Sequence, residues 1–174
     1  TAQKFKEKYD FEYIFVDDGR QDDSYLILEK LKKNRQVVKI IQFTRNFGKE
    51  MATTCGLNHC KGDAGILIDA DLQHPPELIS QFIQKWEKGA EIVIGVRKGN
   101  QDEGLLKKYG SRLFYQIINR ITDIAIIPNS TDFQLLDRLV IDEFNRFSEQ
   151  NRMTRALINW VGFRKEFVKF SAAK

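Results

Sequence analysis

At 174 residues, 42% hydrophobic and 30% charged, the chain has the size and composition of one globular domain, which excludes a disordered or fibrous protein. Its formal charge of +4 suits phosphorylated ligands or an anionic membrane surface and gives no reason to invoke nucleic acid. Two cysteines, Cys55 and Cys60, have neither disulfide nor zinc spacing and read as free thiols of a reducing compartment; no apolar run reaches membrane-spanning length.

In chain order, Thr1 to Lys8 reads as the tail of a helix. Phe11 to Val16 is a β-type run that stops at Asp17-Asp18-Gly19. Asp22, Asp23 and Ser24 offer caps for a helix whose Ile27, Leu28 and Leu31 are expected to face inward. Val37 to Phe43 is the next strand. Arg45-Asn46-Phe47-Gly48 then leads into a helix of small and apolar residues, Met51, Ala52, Cys55 and Leu57. Gly65 to Ile68 is a third strand, and it ends in Asp69-Ala70-Asp71-Leu72-Gln73-His74-Pro75-Pro76.

That last stretch is the chemical signal. In an extended segment residues i and i+2 share a side, so Asp69 and Asp71 can face one pocket. Two close carboxylates repel unless a cation lies near them, and oxygen ligands on a strand-end loop suit Mg²⁺ or Mn²⁺. For an isolated D-x-D, two solvated loop acids are the competing reading. His74 is read as a loop residue rather than a ligand. The prolines suit the first turn of a helix with Leu78, Ile79, Phe82, Ile83 and Trp86 on its inward face. Ile92 to Val96 is a fourth strand, ending at Arg97.

Strands apolar almost throughout, alternating with helices, predict an α/β fold with a parallel sheet covered on both faces. Ligands in such sheets sit beyond the carboxyl ends of the strands. Asp17 and Asp18, Arg45, Asp69 and Asp71, and Arg97 all fall at those ends, which favours the ligand-site reading of the acid pair. Beyond Arg97 the pattern changes to a polar loop over 98–104 and a long amphipathic helix through Leu105, Tyr109, Leu113, Ile117 and Ile121. Then come a short apolar stretch over 124–128, a strand from Thr131 to Leu136 carrying Asp132, a helix from Leu139 to Phe147, a further helix after Arg155, and an edge strand from Phe163 to Phe170.

The segments VDDGRQDDS, RNFGKE, DADLQHPPELI, GVRK, TDFQLLDR and NRMTRALINWVGF occur in this order. With them the chain resembles the inverting family 2 glycosyltransferases, and within these the polyprenyl-phosphate (bactoprenol or dolichyl phosphate) glycosyltransferases. The resemblance covers nearly all of the chain. It implies a single GT-A catalytic domain over residues 1–174, a Rossmann-like, mostly parallel sheet flanked by helices with a C-terminal α+β extension. Family members begin with a strand carrying a V-P-x-Y-N-E type motif and continue into membrane helices, so truncation is expected at both ends. The full-length protein is expected on the cytoplasmic face of the membrane.

The resemblance also assigns roles. Asp17 or Asp18 would meet the base or ribose, with Arg45 nearby and Asp69 on the ribose or sugar side. Asp71 and Gln73 would hold Mg²⁺ or Mn²⁺ against the diphosphate. Arg97, Lys107 and Ser111 would receive the acceptor phosphate, Asp132 would lie by the reacting sugar with Arg97, and Arg152 and Arg155 would reach the diphosphate. The implied partners are a nucleotide-diphospho-sugar donor and a polyprenyl-phosphate acceptor. UDP-glucose or UDP-N-acetylglucosamine is favoured and GDP-mannose stays open. A transferase acting on a polysaccharide or soluble acceptor, and a non-catalytic nucleotide-sugar-binding module, are the alternatives. A phosphoacceptor signalling domain fits poorly, because it wants a lone aspartate ending the third strand. The oligomeric state is not legible.

Overall fold

The computed structural model describes residues 5, 8–19, 22–33, 35, 37–98, 129–147 and 162–171. Lys107, Ser111, Arg152 and Arg155, with the helices expected around them, lie outside the described residues.

Strand β1 (Tyr13–Asp17) pairs in parallel with β2 (Val38–Gln42), and helix α1 (Ser24–Lys33) connects them. Helix α2 (Lys49–His59) leads to β3 (Ala64–Leu67). A 3₁₀ turn (Pro76–Leu78) with proline in its first turn opens α3 (Ile79–Glu87), which leads to β4 (Ile92–Arg97). Strand β5 (Ser130–Asp137), helix α4 (Arg138–Arg146) and strand β6 (Lys165–Phe170) complete the described elements. Asp137 caps α4, its carboxylate accepting from the Leu139 amide at 2.9 Å, while its other oxygen takes the Trp86 indole N–H at 2.6 Å.

The strands form a two-stranded sheet, β1-β2, and a four-stranded sheet in the order β3-β5-β4-β6. The α/β class and the alternation of elements are as expected. Strands β3 and β4 do run the same way, but they are not neighbours. Strand β5 lies between them and runs antiparallel to both. Strand β6 sits at the edge, parallel to β4. Apolar runs report burial on both faces and carry no information on which strand is the neighbour, so this insertion has no local signature.

Both faces of the four-stranded sheet are covered. Ile92, Ile94 and Leu136 pack with Leu57 of α2 and Val140, Ile141 and Phe144 of α4 on one face. Val93, Phe133, Leu135 and Val168 pack with Phe82 and Ile83 of α3 on the other. Successive residues of β4 thus serve two cores, as the pleat requires. The Leu78, Ile79 and Trp86 side chains flank the second core, as the predicted inward face of α3 implied.

Helix α1 departs from expectation. It has no buried residue, and Ile27 is 63% exposed, with Leu26 and Leu31 exposed as well. Met51 of α2 is also exposed. The apolar stripe has the right period to form the helix, but burial needs a covering surface, and the two-stranded sheet offers a narrow one.

Candidate active site

A cavity of about 310 Å³ opens where β3, β4 and β5 meet. It is lined by Asp69, Asp71, Gln73 and His74 from the loop after β3, by Arg97 at the end of β4, and by residues 129–132 at the start of β5. Strand ends therefore do gather Asp69, Asp71, Gln73, Arg97 and Asp132 into one pocket. The mouth of an α/β sheet beyond its strand ends is where such a fold leaves room for a ligand.

Asp132 reaches the pocket through a break in the β4–β5 ladder. Ile94 pairs with Gln134 and Val96 with Ser130, so Gly95 alone faces the three residues 131–133. This bulge lifts Asp132 out of the regular ladder and re-aims it. Gly95 suits this close approach, because a Cβ would stand 3.0 Å from the Phe133 carbonyl oxygen and 3.2 Å from Thr131 Oγ1. The Thr131 hydroxyl donates to the Gly95 carbonyl at 2.9 Å and closes the bulge.

The loop after β3 turns sharply. The Gln73 amide donates to Asp71 Oδ1 at 3.0 Å, and Leu72 takes a left-handed φ of 62° with its side chain 84% exposed. Arg97 Nη2 donates to Gln73 Oε1 at 2.8 Å, which ties the end of β4 to this loop. His74 is a loop residue, but a buried one, held against the rings of Phe133 and Phe170 at centroid distances of 5.5 and 5.8 Å. Both of its ring nitrogens, and Arg97 Nε, are buried without a hydrogen-bond partner.

The donor set suits a hard divalent cation. Among the described residues no group of three or more His, Cys, Asp and Glu side chains forms an all-protein cage. Mg²⁺ and Mn²⁺ need none, since they take one or two carboxylates and complete their shell with phosphate oxygens and water. Asp71 is about half exposed, and among the described residues its Oδ1 takes the Gln73 amide while Gln73 Oε1 takes Arg97 Nη2. Asp71 Oδ2 is thus the oxygen open to a cation, and Gln73 would have to release Arg97 to join it.

Asp17, Asp18 and Arg45 do not line this cavity; they gather at the ends of β1 and β2. Asp17 is buried, and its Oδ2 accepts from Gln42 Nε2 at 3.2 Å. Asp18 takes the Phe47 amide at 2.7 Å and the Gly48 amide at 2.9 Å, placing a carboxylate at the start of α2. Arg45 lies over the Phe47 ring, 4.7 Å from its centroid. Gly19, at φ 67°, lets the acidic turn approach so closely that a Cβ would come within 2.5 Å of the Arg45 carbonyl carbon. Arg45 therefore does lie beside the acidic pair.

One residue in the site was not anticipated. Lys49 Nζ reaches Asp69 Oδ2 at 2.6 Å and Asp132 Oδ2 at 2.7 Å. Burial works against its charge, but the hydrogen bonds it donates to Asp132 and Asp69 outweigh that and raise its pKa, so it stays an ammonium. Its place in RNFGKE, next after a glycine at a helix start, was the available signal.

Comparisons with known proteins show the family and the fold. Residues 1–144 match the family model described as Glycosyl transferase family 2. One relative, the uncharacterized glycosyltransferase YkcC of Bacillus subtilis, is 42% identical over 98% of this chain and 54% of its own length. The prophage bactoprenol glucosyl transferase homolog of Escherichia coli K12 is 36% identical over 100% of this chain and 58% of its own length. The chain thus spans about half the length of the curated relatives it matches. A mannosyltransferase from Pyrobaculum calidifontis, solved with GDP-mannose and Mn²⁺, shares the fold with a TM-score of 0.61 at 16% identity, over 94% of this chain and 47% of that one.

Proposed function

Since the chain belongs to glycosyl transferase family 2, we propose that it transfers a sugar from a nucleotide-diphospho-sugar to a polyprenyl phosphate, with inversion. The observation that carries this reading is the gathering of Asp69, Asp71, Gln73, Arg97 and Asp132 in one cavity. The polyprenyl acceptor is supported by relatives named for bactoprenol. UDP-glucose or UDP-N-acetylglucosamine is the favoured donor, and the fold neighbour's GDP-mannose keeps that donor in the comparison.

In this reading Asp71 and Gln73 would hold Mg²⁺ or Mn²⁺. When bound, the ion neutralises charge on the diphosphate and so favours its departure. Asp69 faces the sugar or ribose, and Asp17, Asp18 and Arg45 serve the nucleoside side. Arg97 meets the acceptor phosphate, joined by Lys107 and Ser111, and Arg152 and Arg155 reach the diphosphate. A phosphate oxygen of the acceptor forms the new bond to the anomeric carbon as the bond to the diphosphate breaks. The electron pair leaves with the nucleoside diphosphate.

A phosphate monoester has a second pKa near ~6 and is largely ionised at neutral pH. It needs no strong base, so Asp132 positions and stabilises instead of taking a proton. Paired with Lys49, it is poorly placed to accept one. Among the described residues no helix is long and apolar enough to cross a membrane.

The test is the intact protein assayed with UDP-glucose, UDP-N-acetylglucosamine and GDP-mannose on a polyprenyl phosphate, with and without Mn²⁺. One donor should react, and only with metal. Asp71→Asn should reduce turnover by about 10²-fold or more, as the loss of a charge-stabilising group does. Absence of metal-dependent binding of any donor would sink the transferase reading. Activity only on a soluble or polysaccharide acceptor would replace the polyprenyl assignment.

A further inference from the structure

The cavity holds three carboxylates, Asp69, Asp71 and Asp132, and one guanidinium, Arg97. Lys49 supplies the second positive charge from a different element, the first residue of α2. It spans two chain segments that no ladder joins directly at this point, the end of β3 at Asp69 and the bulge of β5 at Asp132. Its aim is built in. Gly48 holds a φ of 94° at the start of α2, and the Phe47 and Gly48 amides are fixed on the Asp18 carboxylate. The Lys49 side chain is 52% exposed, so the pairs add little to stability. Their value is geometric and electrostatic.

We infer that Lys49 is a positioning residue for the transfer, holding Asp69 and Asp132 at a set spacing across the cavity and balancing their charge before a metal–diphosphate arrives. This rests on the transferase reading of the same site. Charge balance sets how strongly the pocket draws in a bare cation. Spacing sets whether Asp132 meets the reacting sugar in register. Loss of Lys49 therefore separates the two: the cavity becomes more attractive to a metal ion while the chemistry slows.

In the intact protein, Lys49→Met is expected to lower kcat by about tenfold or more, as misplacement of a reacting group does, while donor KM changes by less than about threefold. Mn²⁺ alone should bind roughly threefold or more tighter, because one opposing charge has gone. Lys49→Arg keeps the charge; it should hold Mn²⁺ like the wild type and recover most of kcat. Should Lys49→Met not fold, Lys49→Gln carries the same comparison. A kcat within about twofold of wild type overturns the proposal, as does an Mn²⁺ affinity that stays level or falls. An arginine variant no better than the methionine variant overturns it too. If the wild type transfers no sugar at all, the transferase reading falls, and the Mn²⁺ measurement still judges Lys49.

Discussion

The four-stranded and two-stranded parts of the molecule are built from similar sequence and end up differently protected. In the first, β4 has a run of fully buried residues and feeds cores on both of its faces. In the second, β1 buries only Asp17 and β2 only Val38, and Leu26, Ile27, Leu31, Val37 and Phe47 are exposed. An apolar run is an offer of burial, and whether it is taken up depends on what the rest of the chain lays over it. In the proposed function the site is distributed across this divide: the acids proposed to face the metal and the sugar sit on the well-packed part, and those proposed for the nucleoside side sit on the looser one.

The two parts are joined by polar clasps at opposite ends of the strands. Lys49 makes one, beside the cavity. Glu12, before β1, makes the other: Oε1 accepts from the amides of Lys61 at 2.6 Å and Gly62 at 3.2 Å, and Oε2 from Lys39 at 2.8 Å. The contrast can be broken by substitution, and the sharpest probe is the core. Phe82→Ala, at a fully buried position, should cost about 3–5 kcal/mol in denaturant unfolding. A loss under about 1 kcal/mol would mean that the four-stranded part is not the stable one. Gly19→Ala should cost about 2 kcal/mol, from a left-handed backbone and a clash with Arg45. Its loss should show mainly as faster proteolysis within the two-stranded part and a raised donor KM.

Glu12→Gln should cost about 1 kcal/mol, since a charged acceptor of amide bonds is lost at a partly open site. Here pH sharpens the comparison. Burial alone would raise the Glu12 pKa, but Lys39 and the Lys61 and Gly62 amides outweigh it and hold the carboxyl below its ordinary 4.5. A depressed carboxyl contributes stability above the unfolded value and loses it as pH falls through the folded one. The wild type should therefore lose unfolding free energy below about pH 4.5 by a component that Glu12→Gln lacks. The smallest effect is expected for Ile27→Ser, within about 0.5 kcal/mol at a 63%-exposed site. A cost near 2 kcal/mol would show that something covers α1 in solution.

Much of this was legible from residue patterns. Element order followed from apolar runs and caps, because those are local forces. The strand-end rule put Asp69, Asp71 and Arg97 on one edge, as the structure does, since the carboxyl ends of strands that run the same way share an edge whether or not they are neighbours. Strand order itself was not legible: β5 enters between β3 and β4 through pairings far apart in sequence. Nor were the bulge that carries Asp132, where Gly95 meets the Phe133 carbonyl closely, or the aim of Lys49, which follows a left-handed Gly48. Asp17 and Asp18 were recognised as a pair at a strand end. That Asp18 would hold the loop amides depends on a chain reversal that composition does not report.

The slip between β4 and β5 has a further consequence. Pairing is regular up to Gln134 and resumes at Ser130, so the three residues between are the part of β5 least bound by the ladder. A residue gained or lost there would move the carboxylate by up to one strand step, about 3.3 Å, while β4 and the cores behind it stay put. The reach of Asp132 is thus an adjustable dimension of the scaffold. If the proposed function holds, changes of chain length at this point would be a route by which the same frame could be refitted to donor sugars of different size.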